Sequence, residues 1–316
     1  MTDYASETGG DAASVLVIGA MAVDAKGRPR HALVPGTSTP GTVRLSVGGV
    51  ARNIAENLAR LGVRTMLLSV VGDDPIGRFL LEATARSGVD VEHVLVRRGQ
   101  RSGAYLAVMD RSGAPAHAID DMAVLRYLAP GRIYRLRRLF RDASMIVLDA
   151  NVSPRTIETI FSLAGRYDKP VCVDPTSTTL AERVRPYLGQ THLVVPNLQE
   201  ARALVCAPEE ELDAQGMAMR LVGMDVEIAI ITLAEKGLYY ATSDERGHLP
   251  ALQRDVVDLT GAGDALIAAV IFGLLNDIPI SEAVRLGVSA AALTIQCPET
   301  VCPSLSLDRL YGELVI

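Results

Sequence analysis

Gly261, Ala262, Gly263 and Asp264 carry the most concentrated chemical signal in the sequence. A strand-like stretch (VVDLT) leads into them and a strongly apolar run (ALIAAVIFGLL) follows. Small residues at a strand-to-helix junction let the backbone turn tightly and aim its N–H groups outward at a helix amino terminus, where the macrodipole favours an anion. A carboxylate beside such a hole can take a proton from a hydroxyl that attacks the bound phosphoryl group. Phosphoryl transfer asks a protein mainly for positioning and charge stabilisation, so an amide-lined turn and one base would suffice. The same four residues also read as a capped tight turn without chemistry. The pattern G-x-x-x-x-G-K-[ST] occurs nowhere, which excludes a P-loop as the phosphate cradle.

A second signal is where polar residues interrupt apolar runs. Asp24 follows SVLVIGAMAV, Asp149 and Asn151 follow MIVL, Asp174 follows VCV, Asn197 follows LVVP, and Thr232 ends IAII. In open parallel sheets, ligands bind outside the carboxyl ends of the strands. A row of carboxylates, amides and hydroxyls at those ends would line one crevice. Each residue taken singly reads as readily as a turn or helix-capping residue.

The elements that must position these groups follow from the apolar pattern. Most of the short runs beginning at Ser14, Thr65, Met145, Pro170, His192 and Glu227 are apolar throughout, as in strands buried on both faces of a parallel sheet. Amphipathic stretches lie between them. In Val50–Leu61, Val50, Ile54, Leu58 and Leu61 share one side, Arg52, Glu56 and Arg60 lie elsewhere, and Gly62 supplies a stop. Repeated strand–helix–strand units predict an α/β fold: a doubly wound, mostly parallel sheet flanked by helices. Residues 25–47 and 102–120, rich in Gly, Pro, Ser and Thr, break this rhythm. Their strand-like pieces predict a small β lid over the carboxyl edge, the second a hairpin turned at Arg111–Gly113.

Composition narrows the class. Of 316 residues, 49% are hydrophobic and 22% charged, which is globular, and the net charge of −6 argues against a nucleic-acid surface. No apolar stretch is long enough to span a membrane. Residues 1–13 read as a flexible polar tail without the pattern of a signal peptide, followed by one α/β unit over 14–316. Cys172, Cys206, Cys297 and Cys302 form no C-x-x-C pair and have no nearby His, so they read as structural thiols of a reduced, cytoplasmic protein.

Together the motifs resemble the ribokinase-like (PfkB) superfamily over residues 14–316. Its amino-terminal signature appears as GGVARNIAENLARLG, its carboxyl-terminal one as DLTGAGDALIAAV, with VGDDPIG and an N-x-x-E match between them. The resemblance implies an ATP- and magnesium-dependent kinase acting on a sugar or nucleoside hydroxyl. It implies Asp264 as the catalytic base and the backbone of Gly261, Ala262 and Gly263 as the anion hole. Asp24, Gly48, Gly49 and Asn53 match positions that hold the acceptor's hydroxyls, and Asn197 with Glu200 match the pair that organises the magnesium–phosphate site through water. Thr232 and Gly237 match nucleotide-binding positions, while Asp258 and Thr260 fall where many members bind a monovalent cation, potassium. In one departure, Thr232-Leu-Ala-Glu-Lys-Gly237 carries Ala234 where the family often has a first Gly.

Within the superfamily the chain is similar to pseudouridine kinases at PGTVRLSVGGVARNIAENLARLG, IDDM, LDANVS and VDPTS. That similarity implies the 5′-hydroxyl of pseudouridine as acceptor, with Asp121 and Asn151 as candidate contacts to base or ribose. Asp121 reads equally as a helix cap, Asn151 as a turn residue, and Arg52 as either a substrate contact or a solvated residue. Ribose, adenosine, inosine or a sugar phosphate remain alternative acceptors, and a nucleoside-binding regulator without catalysis is a further alternative. Exposed lid edges predict a homodimer.

Overall fold

The computed structural model describes residues 13–110, 115–207 and 212–315. Its strands are β1 (Ser14–Ile18), β2 (Ala22–Pro29), β3 (Gly41–Gly48), β4 (Arg64–Leu68), β5 (Val70–Gly72), β6 (Leu95–Arg97), β7 (Gly103–Met109), β8 (Pro115–Asp121), β9 (Met145–Asp149), β10 (Val171–Asp174), β11 (Leu193–Val194), β12 (Ile228–Thr232), β13 (Leu238–Ala241) and β14 (Arg246–Leu249). Its helices are α1 (Val50–Arg60), α2 (Pro75–Arg86), α3 (Pro130–Arg135), α4 (Arg137–Asp142), α5 (Pro154–Arg166), α6 (Thr178–Ala181), α7 (Leu198–Val205), α8 (Ala214–Val222), α9 (Ala262–Leu275), α10 (Ile280–Ile295) and α11 (Leu307–Gly312).

Eight strands form one sheet in the order β14-β13-β12-β11-β10-β9-β1-β4. Pairing is parallel from β4 to β12, and β13 and β14 close the far edge as an antiparallel hairpin. Alternate residues of each strand feed two separate cores. Val15, Val17, Leu67 and Val147 pack under α1, α9 and α10, while Leu16, Ile18, Leu68 and Leu148 pack under α5, α7 and α8. Burial on both faces is why these strands read as unbroken apolar runs. From β1 the chain steps outward to β4 on one side and then to β9 on the other, so the crevice of this sheet opens at the carboxyl ends of β1 and β9.

The lid is a second sheet of four strands in the order β3-β2-β7-β8. Its register puts Ser46, Asp24, Tyr105 and Asp120 in one row across the sheet, and Leu45, Ala25, Leu106 and Ile119 in the next. Successive rows point to opposite faces, so one face carries the polar row and the other an apolar one. The expected turn at Arg111–Gly113 lies outside the described residues, as do residues 1–12 of the expected tail.

The side of α1 opposite its apolar stripe is covered: Arg52, Asn53 and Glu56 are all buried, Arg52 against Thr84 of α2 and Asn53 against Asp264 of α9. One expectation is corrected. Cys297 and Cys302 are not separate thiols but form a disulfide that closes a short loop after α10. Cys172 is buried in the sheet, as its apolar surroundings predict, and Cys206 is exposed.

Candidate active site

The Gly261 turn forms because only glycine fits it. Gly261 has φ 85°, in the left-handed region, and a Cβ there would overlap the carbonyl oxygen of Thr300. α9 therefore starts without any side-chain cap, leaving the first-turn amides of Ala262, Gly263 and Asp264 aimed at the crevice. Around Gly263 there is nothing within 4 Å of a would-be Cβ.

Asp264 occupies the first turn of α9 and is 8% exposed. Asn53 Nδ2 donates to its Oδ2 at 2.8 Å. Burial pushes the Asp264 carboxyl up to about 7, the Asn53 hydrogen bond works against that, and the charges of Asp24 and Asp149 add to it. Asn53 is held in turn: its Oδ1 accepts from Arg52 at 3.1 Å and from Thr300 Oγ1 at 3.4 Å. Arg52 is locked by a buried ion pair to Glu56 one helical turn on, and Glu56 also accepts from Arg60. Arg52 is thus neither a solvated residue nor free for substrate; it orients Asn53. The pair was invisible as a site in the sequence because i, i+4 Arg–Glu pairs are ordinary on exposed helices.

Asp24 reaches the same place from the lid. Its carboxylate lies so close over Gly48 that any Cβ there would overlap it, and burial raises it to about 6 against Lys26 and Arg52. Gly49, at φ 97°, brings the start of α1 against the Ala20 carbonyl. Asp24, Gly48, Gly49, Asn53 and the Gly261–Asp264 turn are therefore brought together.

Not every strand-end carboxylate faces the crevice. Asp149 is fully buried and accepts from the amides of Ala20 at 2.7 Å, Ala51 at 3.0 Å and Asn151 at 3.0 Å. It ties the ends of β1 and β9 to the start of α1, which is a structural task. Asn151 is the turn residue of that loop, with both its amide and its side chain on Asp149. Asp121 accepts from the Ala123 amide at 3.2 Å, a local turn bond, and the register puts it in the row next to that of Asp24; the 3-10 turn that follows is led by Met122 and has no side-chain cap. Asp120, together with Tyr105, shares the Asp24 row instead. Sequence reasoning missed both because facing is settled by strand register, and IDDM offers two adjacent aspartates.

A second group gathers at the end of β12. Asn197 Oδ1 accepts from the amides of Gln199 and Glu200, while Glu200 Oε2 accepts from the Asn197 amide at 2.9 Å, a reciprocal cap on α7. Thr232 sits beside them, paired with Asn197 through an isolated bridge. Gly237 (φ 90°) packs against the Leu249 carbonyl, so β14 alone already demands glycine there. Ala234 adopts φ 52°, keeping the left-handed backbone its missing glycine would take without strain. Asp174 links the two groups. Burial holds its carboxyl well above the usual range, and the charges of Asp264 and Glu200 raise it further.

Among the described residues no three acidic, His or Cys side chains converge to ligate a metal directly. The crowding of Asp174, Asp264 and Glu200 nonetheless fits a divalent cation held by ligand phosphates and water, with Glu200 in its outer shell, as magnesium prefers. The monovalent-cation position is different. Between Asp258 and Thr260, where the resemblance implies potassium, lies the ammonium of Lys26. A separate cavity of about 760 Å³ at the amino end of β12, lined by Asp225, Glu227, Thr242 and Glu245, includes none of these residues.

An uncapped glycine turn, a buried carboxylate beside it and a lid carrying a second carboxylate define a kinase of alcohols, and comparison with known proteins agrees. The pattern of the pfkB family of carbohydrate kinases matches residues 12–306, and the chain belongs to that family. The pseudouridine kinase of Escherichia coli (strain K12) is 32% identical over 300 residues, covering 94% of this chain and 95% of that protein. The guanosine-inosine kinase of Exiguobacterium acetylicum is 29% identical, covering 94% and 99%. The solved structure of Arabidopsis thaliana ribokinase complexed with ribose and ATP superposes with a TM-score of 0.84 at 20% identity, over 96% of this chain and 99% of that one. The protein is a pfkB-family kinase with an alcohol group as acceptor.

Proposed function

We propose that this kinase transfers the γ-phosphoryl group of ATP to the 5′-hydroxyl of pseudouridine. The observation that carries the chemistry is the buried Asp264 at the mouth of an uncapped helix amino terminus, hydrogen-bonded to Asn53. Asp24 accepts from ribose hydroxyls, with Gly48 and Gly49 allowing close approach. Asp264 takes the 5′-hydroxyl proton as the oxygen attacks, and the amides of Gly261, Ala262 and Gly263 stabilise the equatorial oxygens of the transferring group. Magnesium, when bound, neutralises phosphate charge; Asn197 and Glu200 place its waters, and Thr232 and Gly237 lie along the nucleotide. The reaction draws on cytoplasmic ATP, and among the described residues no helix is long and apolar enough to cross a membrane.

The choice of pseudouridine rests on the 32% identity to the Escherichia coli enzyme; the match to a guanosine-inosine kinase favours a purine nucleoside as the second reading. A coupled ATP-consumption assay with pseudouridine, uridine, inosine, guanosine, adenosine and ribose separates them. Pseudouridine is expected to give the highest kcat/KM, at least about tenfold above uridine, since base hydrogen bonds left unpaired cost that much or more. A preference for inosine or guanosine would replace pseudouridine with a purine acceptor.

We further propose that the outer lid face pairs two copies of the chain. Leu45, Leu106, Ile119 and Val43 are 66%, 48%, 69% and 74% exposed on a thin sheet with two open edges, β3 and β8. Light scattering is expected to give a dimer that Leu45→Glu with Ile119→Glu converts to monomer. A wild-type monomer at working concentration rejects this pairing.

A further inference from the structure

Lys26 lies on β2, two residues beyond Asp24 on the same face of the lid, and is 7% exposed. Its Nζ donates to Asp258 Oδ1 at 3.0 Å, Asp258 Oδ2 at 2.9 Å and Thr260 Oγ1 at 2.6 Å. An ammonium group has three donors, and here all three are directed at Asp258 and Thr260, in the segment that leads into the anion-hole turn. Asp258 is gripped from its own loop as well, accepting from the Thr260 amide at 2.9 Å. The amides of Val257 and Asp258 donate to the Ile295 carbonyl at the end of α10. The segment leading into Gly261 is thus anchored on one side by α10 and on the other by a lid lysine.

A monovalent cation and the Lys26 ammonium would compete for the same oxygens. Each carries one positive charge, and the hydrogen-bond lengths around Nζ leave no separate volume between the carboxylate and the hydroxyl. Potassium therefore does not fit this loop while Lys26 is in place. Although burial drives the Asp258 carboxyl upward, the hydrogen bonds from Lys26 and Thr260 outweigh it and keep the group below the usual carboxylate range. The carboxylate is ionised and already partnered.

We propose that Lys26 is a built-in replacement for the monovalent cation, a positioning residue that holds the Thr260–Gly263 turn in its anion-binding shape. It follows that turnover needs no potassium. The brace also arrives with the lid strand that carries Asp24, so the turn is fixed by the element that grips the acceptor. This rests on the anion-hole assignment of the Gly261 turn.

The test compares wild type with Lys26→Ala and Lys26→Met, each purified and assayed in sodium and in potassium buffers. Wild type is expected to show kcat changed by less than about twofold between them, because its cation is covalently attached. Lys26→Ala is expected to lose at least about 100-fold in kcat, with a smaller change in acceptor KM, since the damage falls on charge stabilisation in the transition state. An opening of about 280 Å³ lined by Lys26, Arg28, Thr42, Arg44, Val257, Asp258 and Pro298 gives an ion access to the vacated position. Potassium, rubidium or ammonium should then recover part of the lost kcat in Lys26→Ala, whereas lithium should not.

A readout independent of catalysis is thermal unfolding without substrates. Potassium should raise the Tm of Lys26→Ala and leave wild type unmoved, because only the variant has a site to fill. Lys26→Met, which keeps the stem and lacks the charge, covers the case in which the alanine variant does not fold. Activation of wild type by potassium overturns the proposal. So does a folded variant that keeps wild-type kcat and shows no thermal response to potassium, or one that no monovalent cation rescues or stabilises. Failure of the anion-hole assignment would appear differently: the thermal response to potassium would survive while kcat stayed unchanged.

Discussion

Asp264→Asn is expected to lower kcat by at least about 100-fold, roughly 3 kcal/mol of transition-state stabilisation, while ATP and nucleoside affinities change little. The amide keeps the size of the carboxylate and can still bond Asn53 after a flip, so the loss isolates proton acceptance from shape. A general base must be ionised to act. With its carboxyl raised to about 7 by burial, kcat/KM should fall as pH drops through that region. Asn53→Ala removes a donor that favours the anion, so the acid limb should move to higher pH. The stability sign runs the other way. A carboxyl whose folded pKa exceeds its unfolded value favours folding at low pH, and that contribution is lost as pH rises through about 7. Asp264→Asn should therefore melt higher than wild type above pH 7, a gain in stability at the expense of turnover. Near-normal kcat in a pH-matched assay would remove Asp264 from the base role.

The second large effect is expected at Gly261, and its contrast with Gly263 makes it diagnostic. Gly261→Ala puts a methyl group into the Thr300 carbonyl and forces a side chain into the left-handed region. The combined strain and overlap should cost about 3 kcal/mol or more, and the displaced amides should cost at least about 100-fold in kcat. Gly263→Ala meets no protein atom. Inside a helix, that change should stabilise the fold by about 0.5–1 kcal/mol, yet under the proposed mechanism it enters the space of the phosphoryl group and should also depress kcat. Differential scanning calorimetry with single-turnover kinetics checks both: Tm should move in opposite directions while kcat falls in each. If Gly263→Ala retained full activity, the space beside it would not be where the phosphoryl group passes.

The parallel sheet was legible because its strands are buried on both faces, which writes an unbroken apolar run into the chain. The Gly261 turn was legible because backbone geometry demanded small residues there. What escaped was decided by contacts with no sequence period. Lys26 meets Asp258 across 232 positions, and nothing local distinguishes it from a lysine on an exposed strand. Arg52 reads as either a solvated residue or a substrate contact until its ion pair with Glu56 and its bond to Thr84 of α2 are seen. Asp120 and Asp121 differ only by strand register, which pairing with Tyr105 and Ala104 settles. The β13–β14 hairpin passed unread: Leu238 and Tyr240 are buried and Tyr239 between them less so, but Leu-Tyr-Tyr-Ala carries no alternation of residue type that a period-two search could find.

Asp24 and Lys26 ride on one ribbon, side by side: Asp24 is the residue we assign to the acceptor, and Lys26 bonds the segment before Gly261. Any drift in β2 must disturb both tasks at once, so this strand is poor ground for evolving a taste for a new nucleoside. Tyr105 and Asp120 share the Asp24 row from β7 and β8, away from the Gly261 loop, and are where selectivity is expected to change at least cost to the catalyst.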